Sequence, residues 1–378
     1  MTKTLGEVCS FDKVQSIHCG LPYVGLEHIE SHTARFIGSS EPQPVKSSTF
    51  RFSNEHVLYG RLRPYLNKVL APDFDGHCST EIFPLKPCSE LSRSYLLFWL
   101  LADTTCERIN ATCTGARMPR AQMNDVLGFE IPIPPLAEQQ RIVAILDEAF
   151  EGIATAKANA EKNLQNARAL FESNLQLIFT SKGEGWTEKT IGELAKHSLG
   201  KMLDKAKNQG EMQPYLRNIN VRWFDFDLSD VLEMRFLETE VEKYTAVKGD
   251  VLICEGGYPG RCAIWEKDEP IFFQKALHRV RFHEQNLNQW FVYYLFLLDK
   301  TGGLKQYFTG SGIQHLTGEA LKRFKLPAPP LAQLPALLEH IDQLAVETQR
   351  LEAIYQQKLA ALDELKKALL QQAFSGEL

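Results

Sequence analysis

Basic side chains stand beside aromatics and glycines in four short segments. These are Tyr59-Gly-Arg-Leu-Arg-Pro-Tyr65 followed by Lys68, Arg117-Met-Pro-Arg120, Gly256-Gly-Tyr-Pro-Gly-Arg261, and Lys275 followed by His278, Arg279 and Arg281. Arginine engages phosphate or pairs bidentately with a guanine edge, and glycine lets backbone approach a ligand closely. The segments nominate Tyr59, Arg61, Arg63, Lys68, Arg117, Arg120, Gly257, Tyr258, Arg261, Lys275 and His278 as candidate anion- and base-binding residues, with Gln314 in a glycine-rich turn. The signal belongs to the set. Taken singly, each arginine reads first as a solvated surface group or the partner of a local carboxylate.

Catalytic patterns are missing. Gly200-Lys201 has Ala195 where a phosphate loop needs its first glycine and Met202 where it needs Ser or Thr. No Gly-x-Gly-x-x-Gly follows a strand, and neither Asn-Pro-Pro-aromatic nor Gly-x-Ser-x-Gly occurs. The nuclease-like Pro72-Asp73 is followed by Glu81-x-Phe83 without the lysine, and Glu364-x-Lys366 lies in a helical stretch. Carboxylates are not gathered for two-metal work. The eight cysteines, at positions 9, 19, 78, 88, 106, 113, 254 and 262, form no Cys-x-x-Cys. They read as reduced, partly buried thiols, and no metal is expected.

The elements that must position these residues are set by an internal repeat. Ile131-Pro-Ile-Pro-Pro-Leu-Ala137 returns as Leu326-Pro-Ala-Pro-Pro-Leu-Ala332, 195 residues on in a chain of 378. Each copy opens a stretch rich in Ala, Leu, Gln, Glu and Lys, strong helix formers, and the stretches close on Phe179 and Phe374 at the same offset. Steps of four and three from Ile142 pass Leu146, Ala149, Ile153, Ala156, Ala160, Asn163, Ala167, Leu170, Asn174 and Leu177. The same steps from Leu337 pass Ile341, Leu344, Thr348, Leu351, Tyr355, Lys358, Leu362, Leu365, Leu369 and Gln372. A sustained 3.5-residue repeat predicts a coiled-coil seam on both helices. The small first seam fits the large second one, which predicts intramolecular, antiparallel pairing. The Pro134-Pro135 and Pro329-Pro330 pairs end a domain and launch a helix.

Two globular blocks remain, and they also correspond. Pro22-Tyr-Val matches Pro214-Tyr-Leu, His56-Val-Leu-Tyr59 matches Asp250-Val-Leu-Ile253, and Thr114-Gly matches Thr309-Gly at offset 195. Short β-rich runs broken by Gly, Pro and Asp predict mixed α/β domains. The expected fold class is α+β: residues 1–130, a long helix in 131–180, residues 181–325, and a second long helix in 326–378, with pseudo-twofold symmetry.

At 44% hydrophobic and 24% charged residues the composition is that of a globular protein too long for one core. The net charge of −5 excludes a binder held by bulk positive charge. The helices carry much of the negative excess, with 4 basic and 6 acidic residues in 131–180 and 4 and 7 in 326–378. The longest apolar runs, such as Trp290 to Leu298, are too short to span a bilayer, and Met1 to Ser10 lacks a basic-then-apolar leader pattern. A cytoplasmic location without a membrane partner is expected.

This layout strongly resembles the specificity subunit of type I restriction-modification systems. The resemblance rests on the helix launch Pro135-Leu-Ala-Glu-Gln-Gln140, its second copy at Pro330, the stretch Thr114 to Pro119, and the closing Gln372-Ala-Phe-Ser-Gly-Glu-Leu378. The sequence departs at Gln333-Leu334-Pro335, where the first copy has Glu138-Gln139-Gln140. The resemblance implies a non-catalytic subunit with two target recognition domains, each reading half of an asymmetric bipartite site in double-stranded DNA. It implies that the paired helices hold these domains apart and dock two adenine methyltransferase subunits, to which restriction-translocase subunits add. S-adenosylmethionine, ATP and Mg are then expected in those partners, with no cofactor in this chain. The alternatives are a coiled-coil scaffold whose globular blocks bind protein, which would show no DNA sequence preference, and a degenerate nuclease or methyltransferase, which would bind S-adenosylmethionine alone.

Overall fold

The structure is a computed structural model that describes residues 2–11, 14–43, 45–115, 117–204, 206–284 and 286–378. The chain divides into two compact units, residues 1–162 with 355–378 and residues 163–354. Each unit therefore holds one globular block and a part of each long helix.

The long helices run over Leu136–Thr180 and Leu334–Ser375. At the first launch the Pro135 carbonyl accepts the amides of Glu138 and Gln139 at 2.8 and 3.1 Å. The second helix begins three residues later than the 195-residue repeat offset would place it. Pro335 explains the delay: proline lacks an amide donor and is tolerated only in the first turn. The Gln139 side chain is buried and accepts from Ser92 N at 2.8 Å. It also donates to the carbonyls of Glu90 and Pro134 at 2.8 and 2.9 Å. Its counterpart 195 residues on, Leu334, is buried in apolar packing instead. The departure in the launch motif thus swaps a hydrogen-bonded lock for a hydrophobic one.

The first unit contains a ribbon pairing Thr2–Thr4 with Glu130–Pro132 and two four-stranded sheets. One sheet orders Cys9–Phe11, Ile82–Pro87, Val57–Gly60 and Val69–Leu70, all antiparallel. The other orders Gln15–Ser16, Thr49–Phe52, Gly76–Cys78 and Tyr23–Val24, the last pair parallel. The second unit repeats the plan: a ribbon of Thr187–Thr190 with Lys325–Ala328, then a sheet of Ala195–Leu199, Leu277–Phe282, Val251–Cys254 and Cys262–Ile264. Its other sheet keeps the counterparts Thr245–Ala246, Ile271–Phe273 and Glu211–Leu216, again with one parallel pair. The fourth strand, Leu232–Phe236, joins the opposite edge from Gln15–Ser16. The two blocks share a framework and differ at its margin.

Within the first unit the long helices are antiparallel. Arg141 Nη2 donates to Leu378 O at 2.7 Å, and Lys157 forms an ion pair with Asp363, so the partner number falls as the residue number rises. In the second unit Arg168 pairs with Glu352 at 3.0 Å. Ile142, Leu146, Ile153, Ala160, Ala167 and Ile341 are buried, and Leu337, Leu344, Leu351, Leu362 and Leu369 are half-buried. Three predicted seam positions are corrected: Leu170, Leu177 and Leu365 are 59%, 61% and 46% exposed. The buried stripe slips by one residue to Phe171 and Leu175 and by two to Phe179 in the first helix, and by one to Leu370 and Ala373 in the second. A 3.6-residue helix drifts about 20° per heptad from a 3.5 repeat. The ends follow the globular helices instead of the seam. Phe179 lies 4.3 Å from the ring of Trp290 in helix Leu287–Thr301, and Phe374 lies 5.1 Å from that of Tyr95 in helix Arg93–Leu101.

Candidate nucleic-acid interface

In the first unit, backbone bonds bring the two nominated segments onto one surface. Arg61 N donates to Glu81 O at 2.8 Å, Ala121 N to Arg61 O at 2.9 Å, and Arg63 N to Pro119 O at 2.8 Å. The turn between the bridged residues Thr114 and Arg120 needs Gly115 at φ +94°, and Ala116 lies outside the described residues. Arg63 takes φ +51°, a left-handed value uncommon for a residue with a Cβ. Arg63 and Arg117 are exposed. Arg120 is engaged: its Nε lies 3.0 and 3.1 Å from the two Glu81 carboxylate oxygens, and this pairing raises its pKa. Arg61 Nε lies 3.9 Å from the same carboxylate, and its guanidinium sits 5.2 Å over the Phe83 ring.

The second unit assembles the equivalent loops. Cys254 N donates to Arg261 O, Glu255 N to Ala276 O and Leu316 N to Glu255 O, each at 2.8 Å. Thr309 and His315 bridge at offset 195 from Thr114 and Arg120. Gly257 has φ +77°, and a Cβ there would meet Asn218 Nδ2 at 2.5 Å, so the tight turn requires glycine. Arg261 donates to Asn218 O at 3.1 Å and lies 4.8 Å over the half-exposed Tyr258 ring. Lys275 and Gln314 are exposed.

Three nominated residues are corrected. Tyr59 is fully buried, because it belongs to strand Val57–Gly60, which is paired along both edges, and its side chain packs in the hydrophobic core of the first unit. Lys68 donates to the carbonyls of Leu26 and Ile29, both at 2.7 Å, so its ammonium holds a 3-10 turn. His278 is buried with Nε2 3.2 Å from Leu316 O. Burial, and then the neighbouring His197, depress its pKa to about 4. An unfolded chain takes up a proton near the usual value of about 6.5. Stability is therefore complete above that pH and lost as pH falls from about 6.5 to 4, by on the order of 2 kcal/mol at pH 5. His278→Gln should flatten the dependence of the unfolding midpoint across pH 7 to 5. A slope identical to the parent would show that His278 does not carry it.

Residue composition alone did not disclose Glu81, Asn218, Glu255 or His315. Glu81 reaches Arg61 and Arg120, 20 and 39 residues away in sequence, and only the sheet order brings them together. Among the described residues no three His, Cys, Asp or Glu side chains are placed to hold a metal ion, and no helix is long and apolar enough to cross a membrane.

The described residues form a duplicated mixed domain alternating with two paired long helices, with a basic loop cluster in each copy. The family model described as "Type I restriction modification DNA specificity domain" matches residues 1–165 and 183–373, and the chain belongs to that family. It is 29% identical over 165 residues to the type I restriction enzyme EcoDI specificity subunit of Escherichia coli, covering 43% of this chain and 36% of that one. It is 22% identical over 315 residues to the EcoKI specificity subunit of Escherichia coli strain K12, covering 78% of this chain and 67% of that one. The chain thus spans about a third of the first relative's length and two thirds of the second's.

Among solved structures, the HsdS subunit from Thermoanaerobacter tengcongensis aligns with a TM-score of 0.67 at 21% identity, covering 100% of this chain and 97% of that one. A chain from a study of complex assembly and conformational transition of the type I R-M system aligns at 0.85 and 21%, covering 100% and 98%. At that identity the likeness establishes the fold.

Proposed function

We propose that the chain is the non-catalytic DNA-recognition subunit of a type I restriction-modification complex, each globular block reading one half of an asymmetric bipartite target. The observation that carries this is the loop frame built twice in one chain with different side chains on it: Arg61, Arg63, Arg117 and Arg120 in one copy, Tyr258, Arg261, Lys275 and Gln314 in the other. The same frame offers two surfaces, and the substituted side chains let each prefer its own sequence. The long helices serve as docking surfaces for two methyltransferase subunits. Exposed Leu170 and Leu365 occupy equivalent positions 195 residues apart and suit two copies of one partner. Restriction-translocase subunits join that complex. S-adenosylmethionine, ATP and Mg act in the partners.

Replacing Arg63 and Arg117 together by Ala tests the first surface. Both are exposed, so the unfolding midpoint should move by no more than about 0.5 kcal/mol of stability per site. Affinity of the assembled complex for duplex DNA should fall, and the slope of log K against log salt should lose up to about 0.9 per phosphate contact removed. Unchanged affinity and salt slope would place the DNA elsewhere.

A further inference from the structure

The two copies use the same backbone bonds to hold three residues together, and the side chains at those three places differ in charge. In the first unit Arg61 N donates to Glu81 O, Ala121 N to Arg61 O, and Thr114 bridges Arg120. In the second, Glu255 N donates to Ala276 O, Leu316 N to Glu255 O, and Thr309 bridges His315. The turn leading in also corresponds, with Ile82 N to Ser79 O at 2.9 Å and Leu277 N to Gln274 O at 3.1 Å. Arg61, Glu81 and Arg120 thus stand where Glu255, Ala276 and His315 stand.

We propose, on the reading that each block recognises DNA, that these three positions determine base specificity, with Arg61 reading guanine in the first block and Glu81 acting as the positioning residue. The second unit builds the same frame with Ala276 in place of the carboxylate and Glu255 in place of the arginine, so folding of this frame does not require an Arg-Glu-Arg triad. Ion pairs with access to solvent contribute little net stability. The triad keeps access to solvent, with side-chain exposures of 28% for Arg61 and Glu81 and 36% for Arg120. Glu81 takes up Nε and Nη2 of Arg120. Arg61 Nε is buried and has no hydrogen-bond partner among the described residues, so its fork is held by the carboxylate charge and the Phe83 ring. A guanidinium fixed in this way presents paired donors matching guanine O6 and N7. Glu255 reverses the chemistry: a carboxylate accepts from cytosine N4. The two half-sites should then differ in base identity at equivalent places.

The test assembles the chain with its methyltransferase subunits and selects duplexes from a pool randomised in sequence. The parent should discriminate for guanine by about 5- to 150-fold at one base pair of the first half-site. Arg61→Gln should cut that preference to within about threefold, and Glu81→Gln should weaken it at the same base pair. The other half-site and the unfolding midpoint should stay as in the parent. Glu255→Gln should alter one base pair of the second half-site alone. Base preferences within twofold of the parent for all three variants would overturn the assignment, as would a lowered midpoint with preference retained in Glu81→Gln. Should Glu81→Gln fail to fold, Arg61→Gln decides. A parent complex that selects no sequence at all would instead overturn the proposed function itself.

Discussion

Trp290→Ala should lower the stability of the second unit by about 3–5 kcal/mol. The indole is fully buried, lies tilted 4.3 Å from the ring of Phe179 and edge-to-face 5.5 Å from that of Trp186, and donates through Nε1 to Pro327 O at 2.7 Å. Truncation leaves a cavity and strands a buried carbonyl, two costs that add. For a unit of this size each kcal/mol moves the midpoint by about 2–4 °C, so a fall of roughly 6–20 °C is expected in thermal unfolding. Tyr95 is the equivalent residue 195 positions earlier, packed on Phe374 as Trp290 is on Phe179. These two contacts fasten the end of the first long helix to the second block and the end of the second long helix to the first block, and Trp290 is the larger of the two like anchors. A loss below about 1 kcal/mol would mean that the helix end is held by other contacts.

Replacing Arg261 and Lys275 together by Ala should relax recognition of one half-site and leave the other as in the parent. Lost base contacts cost about 1–3 kcal/mol each, so affinity for the parent target should fall by up to several powers of ten if both residues touch bases. Arg261 also carries structure, through its bond to Asn218 O and its place over Tyr258, whereas Lys275 is exposed. Lys275→Ala alone separates the two roles: it should reduce binding with no change in unfolding. Selection from randomised duplexes reads the outcome. Equal relaxation at both half-sites would contradict independent reading by the two blocks.

The repeat, the helix launches and the closing Phe179 and Phe374 were legible in the sequence because each is local in chain order. The phase of the seam was legible only as far as the helices pack mainly on each other. Beyond Ala167 the first helix answers to Trp290 and Tyr293, and periodicity carries no information about that third partner. Among the candidate contacts, Tyr59 and His278 were misplaced for a different reason. A basic and aromatic composition marks the neighbourhood of a loop, but it does not distinguish its exposed residues from those in the strand feeding it. Val57–Gly60 is such a strand and is buried throughout, and in Leu277–Phe282 the first four residues are buried. The contacts of Glu81, considered in the sequence only as part of a nuclease pattern, and those of its counterpart Ala276 were not legible because sheet order, not spacing, joins them to their neighbours.

Reading of DNA by two blocks of one chain should be visible in a map of methylated adenines in the DNA of cells carrying this chain together with methyltransferase subunits. Two unlike blocks of specified bases separated by a run of unspecified ones is the predicted motif. A single continuous motif, or methylation that ignores sequence, would contradict it.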